Sequence, residues 1–206
     1  MSTPTRDYRQ QLAQARAAIA RGLQQPLPAA TVDTGVAIVS PTPLAPSRMA
    51  NDLPASVAQK RLAQAEYLQL LAIYRQSASE QGLPADDLGV ALGVFVLGNY
   101  QVASGQQLDD AHADAAMADL RRLAASLPQL AALPPLARQE LLEELAISGM
   151  LMHTIQLQAR HGIDPAALTR ARPAAHRYLN DVLGLPCSAL QFGADGMRLG
   201  AVAATG

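Results

Sequence analysis

The sequence predicts an all-α protein: an irregular five-helix bundle preceded by an N-terminal amphipathic helix on a Pro-rich tether. Three observations support this fold class. Half of the 206 residues are hydrophobic but only 3% are aromatic, which favours an aliphatic core. Apolar residues recur at three- and four-residue spacing in several long segments, as they do on one face of a helix. Gly, Pro and Asp separate these segments at positions typical of helix ends.

Residues 6–23 predict the N-terminal amphipathic helix. The candidate partner-binding residues lie on its apolar face, together with Ala15: Tyr8, Leu12, Ile19 and Leu23. Residues 24–54 are Pro-rich and predict an extended linker with one short strand at 36–39. Because so long a connection is unusual inside a compact domain, we expect residues 1–23 to form a separable unit. It would dock on the body, on a second copy, on a protein partner or on a lipid surface.

The helical domain is expected over residues 55–206. Its five predicted helices cover residues 55–80, 84–104, 109–126, 135–161 and 165–182. In the first of these helices, Tyr67, Leu71 and Tyr74 share an apolar face. Pro173 is expected to kink or split the last helix. A turn at Asp195-Gly196 predicts a short irregular or hairpin-like C-terminal tail.

The helix predicted over residues 84–104 carries the clearest end signals. Pro84 suits a first helical turn, and Asp87 places negative charge at the positive end of the helix. Gly105 suits the left-handed conformation of a C-terminal cap. Glycines inside a helix cost about 1 kcal/mol each relative to Ala. We therefore expect a neighbouring helix to approach closely at Gly89, Gly93 and Gly98.

Two polar residues, Asn99 and His153, lie on the apolar stripes of predicted long helices. A buried amide or imidazole without a partner costs about 1 to 3 kcal/mol, so each residue needs one. They would form a satisfied polar pair in the core, or they would line a ligand pocket between helices. The candidate ligand-binding residues are Asn99, Tyr100, His153 and Gln156.

Two acidic clusters are interpreted as helix caps and dipole complements. The first cluster offers oxygen and nitrogen ligands, but Asp in a first turn is more often a cap than a metal ligand. Its members are Asp109, Asp110, His112 and Asp114. The second cluster, near the start of the helix over 135–161, consists of Glu140, Glu143 and Glu144. We therefore expect no metal site.

Several function classes lack their signatures. The sequence contains no phosphate-binding loop, no Gly-x-Ser-x-Gly, no His-Glu-x-x-His and no Cys-x-x-Cys, so no catalytic residue and no cofactor is predicted. The net charge of −1 does not favour nucleic acid, although residues 165–182 are basic and helical. The single cysteine, Cys187, excludes an intramolecular disulfide and is interpreted as a small buried hydrophobic residue.

Targeting signals are also lacking in the sequence. No apolar run is long enough to span a bilayer, and residues 1–11 are polar rather than a signal peptide. These features favour the cytoplasm and leave the periplasm or secretion open, so the compartment stays unknown.

Three segments resemble a family of uncharacterised bacterial proteins known only as a domain of unknown function. They are Ala-Glu-Tyr-Leu-Gln-Leu-Leu at 65–71, Gly-Leu-Pro-Ala-Asp-Asp-Leu at 82–88, and Phe-Val-Leu-Gly-Asn-Tyr at 95–100 followed by Ser104-Gly105. The resemblance covers about residues 55–185. It implies an all-helical bacterial domain and supplies no activity, ligand or catalytic residue.

Two functions from different classes follow from these patterns. The first is a non-enzymatic protein–protein interaction or structural module, in which a partner binds the body or captures the N-terminal helix, or in which this helix mediates self-association. The alternative is a small-molecule binding protein or enzyme with an inter-helix pocket near Asn99 and His153. A cavity lined by those residues would favour the alternative, and a fully packed core would reject it.

Overall fold

The computed structural model describes residues 4–25 and 40–200, with side chains described from residue 10 onward. The strand expected at 36–39 and the side chain of Tyr8 lie outside these described parts. The helices are α1 (Pro4–Gly22), α2 (Ala45–Asp52), α3 (Val57–Glu80), α4 (Leu88–Ser104), α5 (Asp110–Ser126), α6 (Pro128–Ala131), α7 (Pro135–Arg160) and α8 (Ala167–Leu183). A 3-10 turn (Cys187–Ala189) leads into strands β1 (Leu190–Gly193) and β2 (Gly196–Leu199).

The mostly helical fold is confirmed, with a helix content of 73%, whereas the count of five helices in the bundle is not. The five predicted body helices correspond to α3, α4, α5, α7 and α8. Two further helices lie where the sequence predicted a linker and a loop. Helix α2 forms because Pro46 suits its first turn and because Ala45 and Ala50 are buried where α2 packs on α3 and α7. Helix α6 is a single turn that begins at Pro128.

Helix α8 is continuous through Pro173, so the expected split was wrong. Proline removes one backbone hydrogen bond and crowds the preceding turn. The apolar face formed by Ala171, Ala175 and Leu179 is buried, and α8 packs on α4, α7 and α1. This tertiary packing offsets the local cost of the proline.

Both ends of α4 have side-chain or glycine caps. The Asp87 carboxylate accepts hydrogen bonds from the amides of Gly89 at 2.7 Å and Val90 at 3.1 Å, which confirms its role at the helix start. The helix begins at Leu88, four residues later than predicted, so Pro84 precedes it and does not occupy the first turn. Gly105 ends α4 with φ of 74°, in the left-handed conformation that was predicted.

Helix α4 is the centre of the core and packs against α7, α5 and α8. Its glycines allow two of these contacts, as predicted. A Cβ atom added at Gly98 would lie 2.5 Å from the Gly149 carbonyl oxygen of α7. A Cβ atom at Gly89 would lie 2.6 Å from the Cα atom of Arg121 in α5. Helices α5 and α7 therefore contact the backbone of α4 almost directly.

Helix α1 packs on the body, chiefly against α8, with further contacts to α5, α6 and α7. The side chains of Leu12, Ile19 and Leu23 are buried in the same hydrophobic core as α4. In this conformation, a partner reaches the apolar face of α1 only by displacing the helix from its own chain.

The C-terminal tail is an antiparallel hairpin, as predicted, and its turn lies at Ala194 and Asp195, one residue before the predicted Asp195-Gly196. Leu190 pairs with Leu199, and Phe192 pairs with Met197. Buried Asp119 of α5 holds this hairpin, because its carboxylate accepts a hydrogen bond of 2.7 Å from the Met197 amide. Within residues 4–25 and 40–200, no helix combines the length and apolar composition needed to span a bilayer.

Candidate ligand-binding cleft

A cleft of about 820 Å³ lies between α3, α4, α5 and α7. Helix α7 packs against both α3 and α4, and α4 also packs against α5. The cleft is the space that these four helices leave between them. Much of its surface is apolar and comes from Val90, Val94, Leu97, Met117 and Met150. Its volume is within the range of pockets that hold small organic molecules.

Two of the candidate ligand-binding residues, His153 and Gln156, line this cleft from α7. The Gln156 side-chain nitrogen donates a hydrogen bond of 3.1 Å to the Gln101 side-chain oxygen, which joins α7 to α4. Burial, followed by the positive charge of Arg160, lowers the pKa of His153. The imidazole is therefore neutral at pH 7 and offers one donor and one acceptor.

Asn99 lies in the core and not in the cleft. Its side chain is 0% exposed, and its amide nitrogen donates a hydrogen bond of 2.8 Å to the Phe95 carbonyl of the same helix. The cleft-facing positions of α4 include Val94, Leu97 and Gln101, and Asn99 lies on another face of the helix. The expected pairing of Asn99 with His153 therefore does not form.

Tyr100 lines a different cavity, of about 480 Å³, together with His176, Cys187 and Phe192. Its hydroxyl donates a hydrogen bond of 2.9 Å to the side-chain oxygen of Gln106, and its ring meets that of Phe192 edge-on. Burial raises the pKa of the Cys187 thiol, in agreement with its interpretation as a buried apolar side chain. The four candidate residues thus lie at three places: the cleft, the core and this smaller cavity.

Tyr74 of α3 also lines the cleft, whereas its spacing in the sequence predicted only a place on the apolar face of its helix. The side chain is 1% exposed, and its hydroxyl has no hydrogen-bond partner within the described part of the chain. Burial, followed by the nearby carboxylates of Asp87 and Asp86, raises the phenol pKa. The only sequence signal was a tyrosine on an apolar stripe, a pattern that core tyrosines share.

Charged groups lie at the ends of the cleft. Arg121 of α5 donates two hydrogen bonds, of 3.0 and 3.3 Å, to one carboxylate oxygen of Asp87, so its charge is balanced. At the opposite end of α5, Asp110 and Asp114 are exposed, as is Arg160 of α7. Positively and negatively charged side chains therefore both lie around the opening of the cleft.

Residues 3–200 match the Family of unknown function (DUF6683). The chain belongs to this family. Membership confirms the resemblance to a domain of unknown function and extends it beyond residues 55–185, to α1, α2 and the C-terminal hairpin. No curated protein and no solved structure matches the chain.

The first acidic cluster of this DUF6683 protein contains a helix cap, as predicted. Asp109 caps α5 by accepting a hydrogen bond of 2.9 Å from the His112 amide, and this bond lowers the pKa of the Asp109 carboxyl. Asp110 and Asp114 line the cleft instead. No group of three or more potential metal ligands occurs among the residues that the structure describes.

The second acidic cluster has a different role from the predicted dipole complement. Glu143 is 0% exposed, and one of its oxygens accepts hydrogen bonds from the amides of Leu44 at 2.6 Å and Ala45 at 2.9 Å. It therefore caps α2 from α7, which is necessary because the local N-cap residue, Leu44, has no polar side chain. Glu140 and Glu144 form ion pairs with Arg48 of α2.

Four residues of α7 hold α2 and the chain before it, and we call them the α2 clasp: Gln139, Glu140, Glu143 and Glu144. The Gln139 side chain accepts a hydrogen bond of 3.0 Å from the Ser40 amide and donates one of 2.9 Å to the Ser40 carbonyl. Glu144 also binds Arg16 of α1. Residues 40–52 are therefore fixed to the body, although the sequence predicted that they belong to an extended linker.

Proposed function

We propose that this protein binds a small organic molecule in the cleft between α3, α4, α5 and α7. The cleft itself is the observation that supports the proposal, because it combines an apolar surface of several side chains with hydrogen-bonding groups from four helices. That combination is typical of small-molecule sites. The proposal keeps His153 and Gln156 from the sequence-based alternative and replaces Asn99 and Tyr100 with Tyr74 and Gln101.

Binding without catalysis agrees best with the polar groups around the cleft. General acid–base catalysis needs a titratable group that a second group orients. Among the described residues, no carboxylate forms an ion pair or hydrogen bond with His153. The nearest positive charge named for it, Arg160, disfavours proton uptake.

A cleft-filling variant tests the proposal. Ala113 of α5 lines the cleft, so Ala113→Trp would occupy part of its volume, while Ala111→Trp on the same helix adds the ring at an exposed position outside it. We expect Nile red, an uncharged dye that fluoresces in apolar sites, to bind the wild type and Ala111→Trp. It should bind Ala113→Trp at least tenfold more weakly. Equal binding to both variants, or no binding to the wild type, would reject the proposal.

A second candidate function is self-association or partner binding through α1. The observation that favours it is that α1 is a discrete amphipathic helix, connected to the body through residues 26–39 and packed on it by side chains such as Leu12 and Ile19. An equivalent helix from a second copy can occupy the same place by domain swapping.

Light scattering of the full chain over a range of concentrations tests this second candidate. A swapped dimer would persist on dilution and would exchange subunits with a tagged copy only slowly. A monomer at every concentration would reject self-association, and co-purification of a defined polypeptide that Leu12→Asp abolishes would indicate a partner instead.

A further inference from the structure

We infer that the ligand of this cleft is an uncharged amphiphile, with an apolar body and a polar group that forms hydrogen bonds with the side chains of Gln101 and Gln156. This inference rests on the proposed function and adds the chemical class of the ligand. Two observations carry it: the distribution of charge around the cleft, and the amide pair formed by Gln101 and Gln156.

Charge is confined to the ends of the cleft. Arg121 is neutralised by two hydrogen bonds to Asp87, and Arg160, Asp110 and Asp114 are exposed to solvent. The other polar side chains that line the cleft are uncharged at neutral pH: Tyr74, Ser77, Gln81, Gln101, Gln107, His153 and Gln156. A charged head group placed there would lose its hydration without gaining an opposite charge, which is strongly unfavourable.

The amide pair supplies both a donor and an acceptor. Gln156 donates from its side-chain nitrogen to the Gln101 side-chain oxygen. The other two atoms, the Gln101 nitrogen and the Gln156 oxygen, form no hydrogen bond with described residues. A hydroxyl or an amide on the ligand satisfies both atoms, whereas a carboxylate satisfies only the donor and an ammonium only the acceptor.

Three probes with one chain and different head groups test the inference: 1-decanol, decanoate and decylammonium. Each is titrated against the full-length protein with bound Nile red, and displacement of the dye is measured at pH 7. We expect 1-decanol to displace the dye at a concentration about tenfold lower than either charged probe, because only the uncharged head group enters the cleft without a desolvation penalty.

A pair of matched variants tests the role of the amide pair. Gln156→Leu, which removes both polar atoms of the side chain, should weaken 1-decanol binding about fivefold, the value of one ordinary hydrogen bond. Gln158→Leu, at an exposed position of the same helix outside the cleft, should leave it unchanged. Helical circular dichroism of both variants at the wild-type level establishes that they are folded.

The outcomes separate the inference from the proposed function. If decanoate or decylammonium displaces the dye at a lower concentration than 1-decanol does, the ligand is not uncharged and the inference is overturned. The cleft remains a binding site in that case. If 1-decanol binds tightest but Gln156→Leu binds it as the wild type does, the amide pair has no part in recognition and the inference is overturned, while the cleft remains a binding site. If Nile red does not bind the wild type, the proposed function itself is rejected.

Discussion

At the scale of single residues, several buried side-chain atoms lack a hydrogen-bond partner in the described part of the chain, among them the Asn99 oxygen and the Tyr74 hydroxyl. Asn99 lies in the core and Tyr74 forms part of the cleft wall, but neither of these two atoms is exposed. Each unpaired atom is therefore a cost to stability.

Replacing Asn99 tests this stability cost. Asn99→Leu removes the unpaired oxygen and gives up only a hydrogen bond to the Phe95 carbonyl of the same helix. We expect unchanged helical circular dichroism and a free energy of unfolding about 1 kcal/mol higher, measured in urea. Asn99→Asp, which places a charge in the core, is the matched control and should destabilise. A marked loss of stability in Asn99→Leu would show that the amide is satisfied in solution.

The second residue-scale prediction concerns pH. Because burial and Arg160 lower the pKa of His153 in the folded state, the unfolded chain binds a proton at this residue more readily. The stability that depends on neutral His153 is present above the unfolded pKa of about 6.5 and is lost as pH falls through the lower folded pKa. Urea unfolding between pH 7.5 and about 5 should show this loss. The loss of unfolding free energy should be smaller in His153→Gln than in the wild type. The same dependence of unfolding free energy on pH in the two proteins would contradict the prediction.

At the scale of the elements, α2 depends on α7 for its formation. An isolated helix of this length is marginal, since helix nucleation is costly and tertiary packing supplies most of the stability. Here Glu143 caps the first turn, and Arg48 pairs with Glu140 and Glu144. The α2 clasp thus stabilises part of this Pro-rich segment as a helix that packs on α7.

Weakening the clasp should release α2 before it unfolds the bundle. In Glu143→Gln, an amide replaces the carboxylate that accepts from Leu44, Ala45 and Gln139, and one of these donors then faces another donor. We expect a loss of about 1 to 3 kcal/mol in unfolding free energy. Hydrogen exchange should accelerate first at residues 44–52, whereas the exposed control Glu66→Gln should resemble the wild type. Uniform acceleration along the whole chain would show that α2 is not a separate unit.

At the scale of the whole molecule, the close crossing of α4 and α7 fixes the bundle and one side of the cleft. Gly98 and Gly149 let the two backbones approach, and Val94, His153 and Gln156 near this crossing line the cleft. Any side chain at the crossing would push the helices apart and change the shape of the cleft as well as the core.

A glycine substitution at this crossing should therefore affect both stability and binding. A Cβ atom at Gly149 would lie 2.5 Å from the Val94 carbonyl oxygen, which is backbone and cannot rotate away. We expect Gly149→Ala to lower the unfolding free energy by about 1 to 3 kcal/mol and to weaken the binding of Nile red. Gly193→Ala, where nothing lies within 4 Å of the added atom, is the control for both measurements. Wild-type stability in Gly149→Ala would contradict the close packing.

Local chemistry determined much of what the sequence alone predicted. Periodic apolar residues predicted the five body helices, and Asp87, Asp109 and Gly105 predicted helix ends, because caps and amphipathic faces depend on residues a few positions apart. Helix α2 escaped prediction because its cap, Glu143, comes from a distant part of the chain. The break predicted at Pro173 was wrong because α8 is held by its neighbours.

The candidate site was predicted only in part, for the same physical reason. His153 and Gln156 stood out as polar residues on an apolar stripe, but the stripe does not say which neighbour each side chain meets. Patterns within short stretches of the chain predicted the helical class, most of the helix ends and the aliphatic core. Packing between distant segments encloses Asn99, places Tyr74 in the wall of the cleft and holds α2 through Glu143. These outcomes depend on contacts between residues far apart in the chain, which local spacing does not encode.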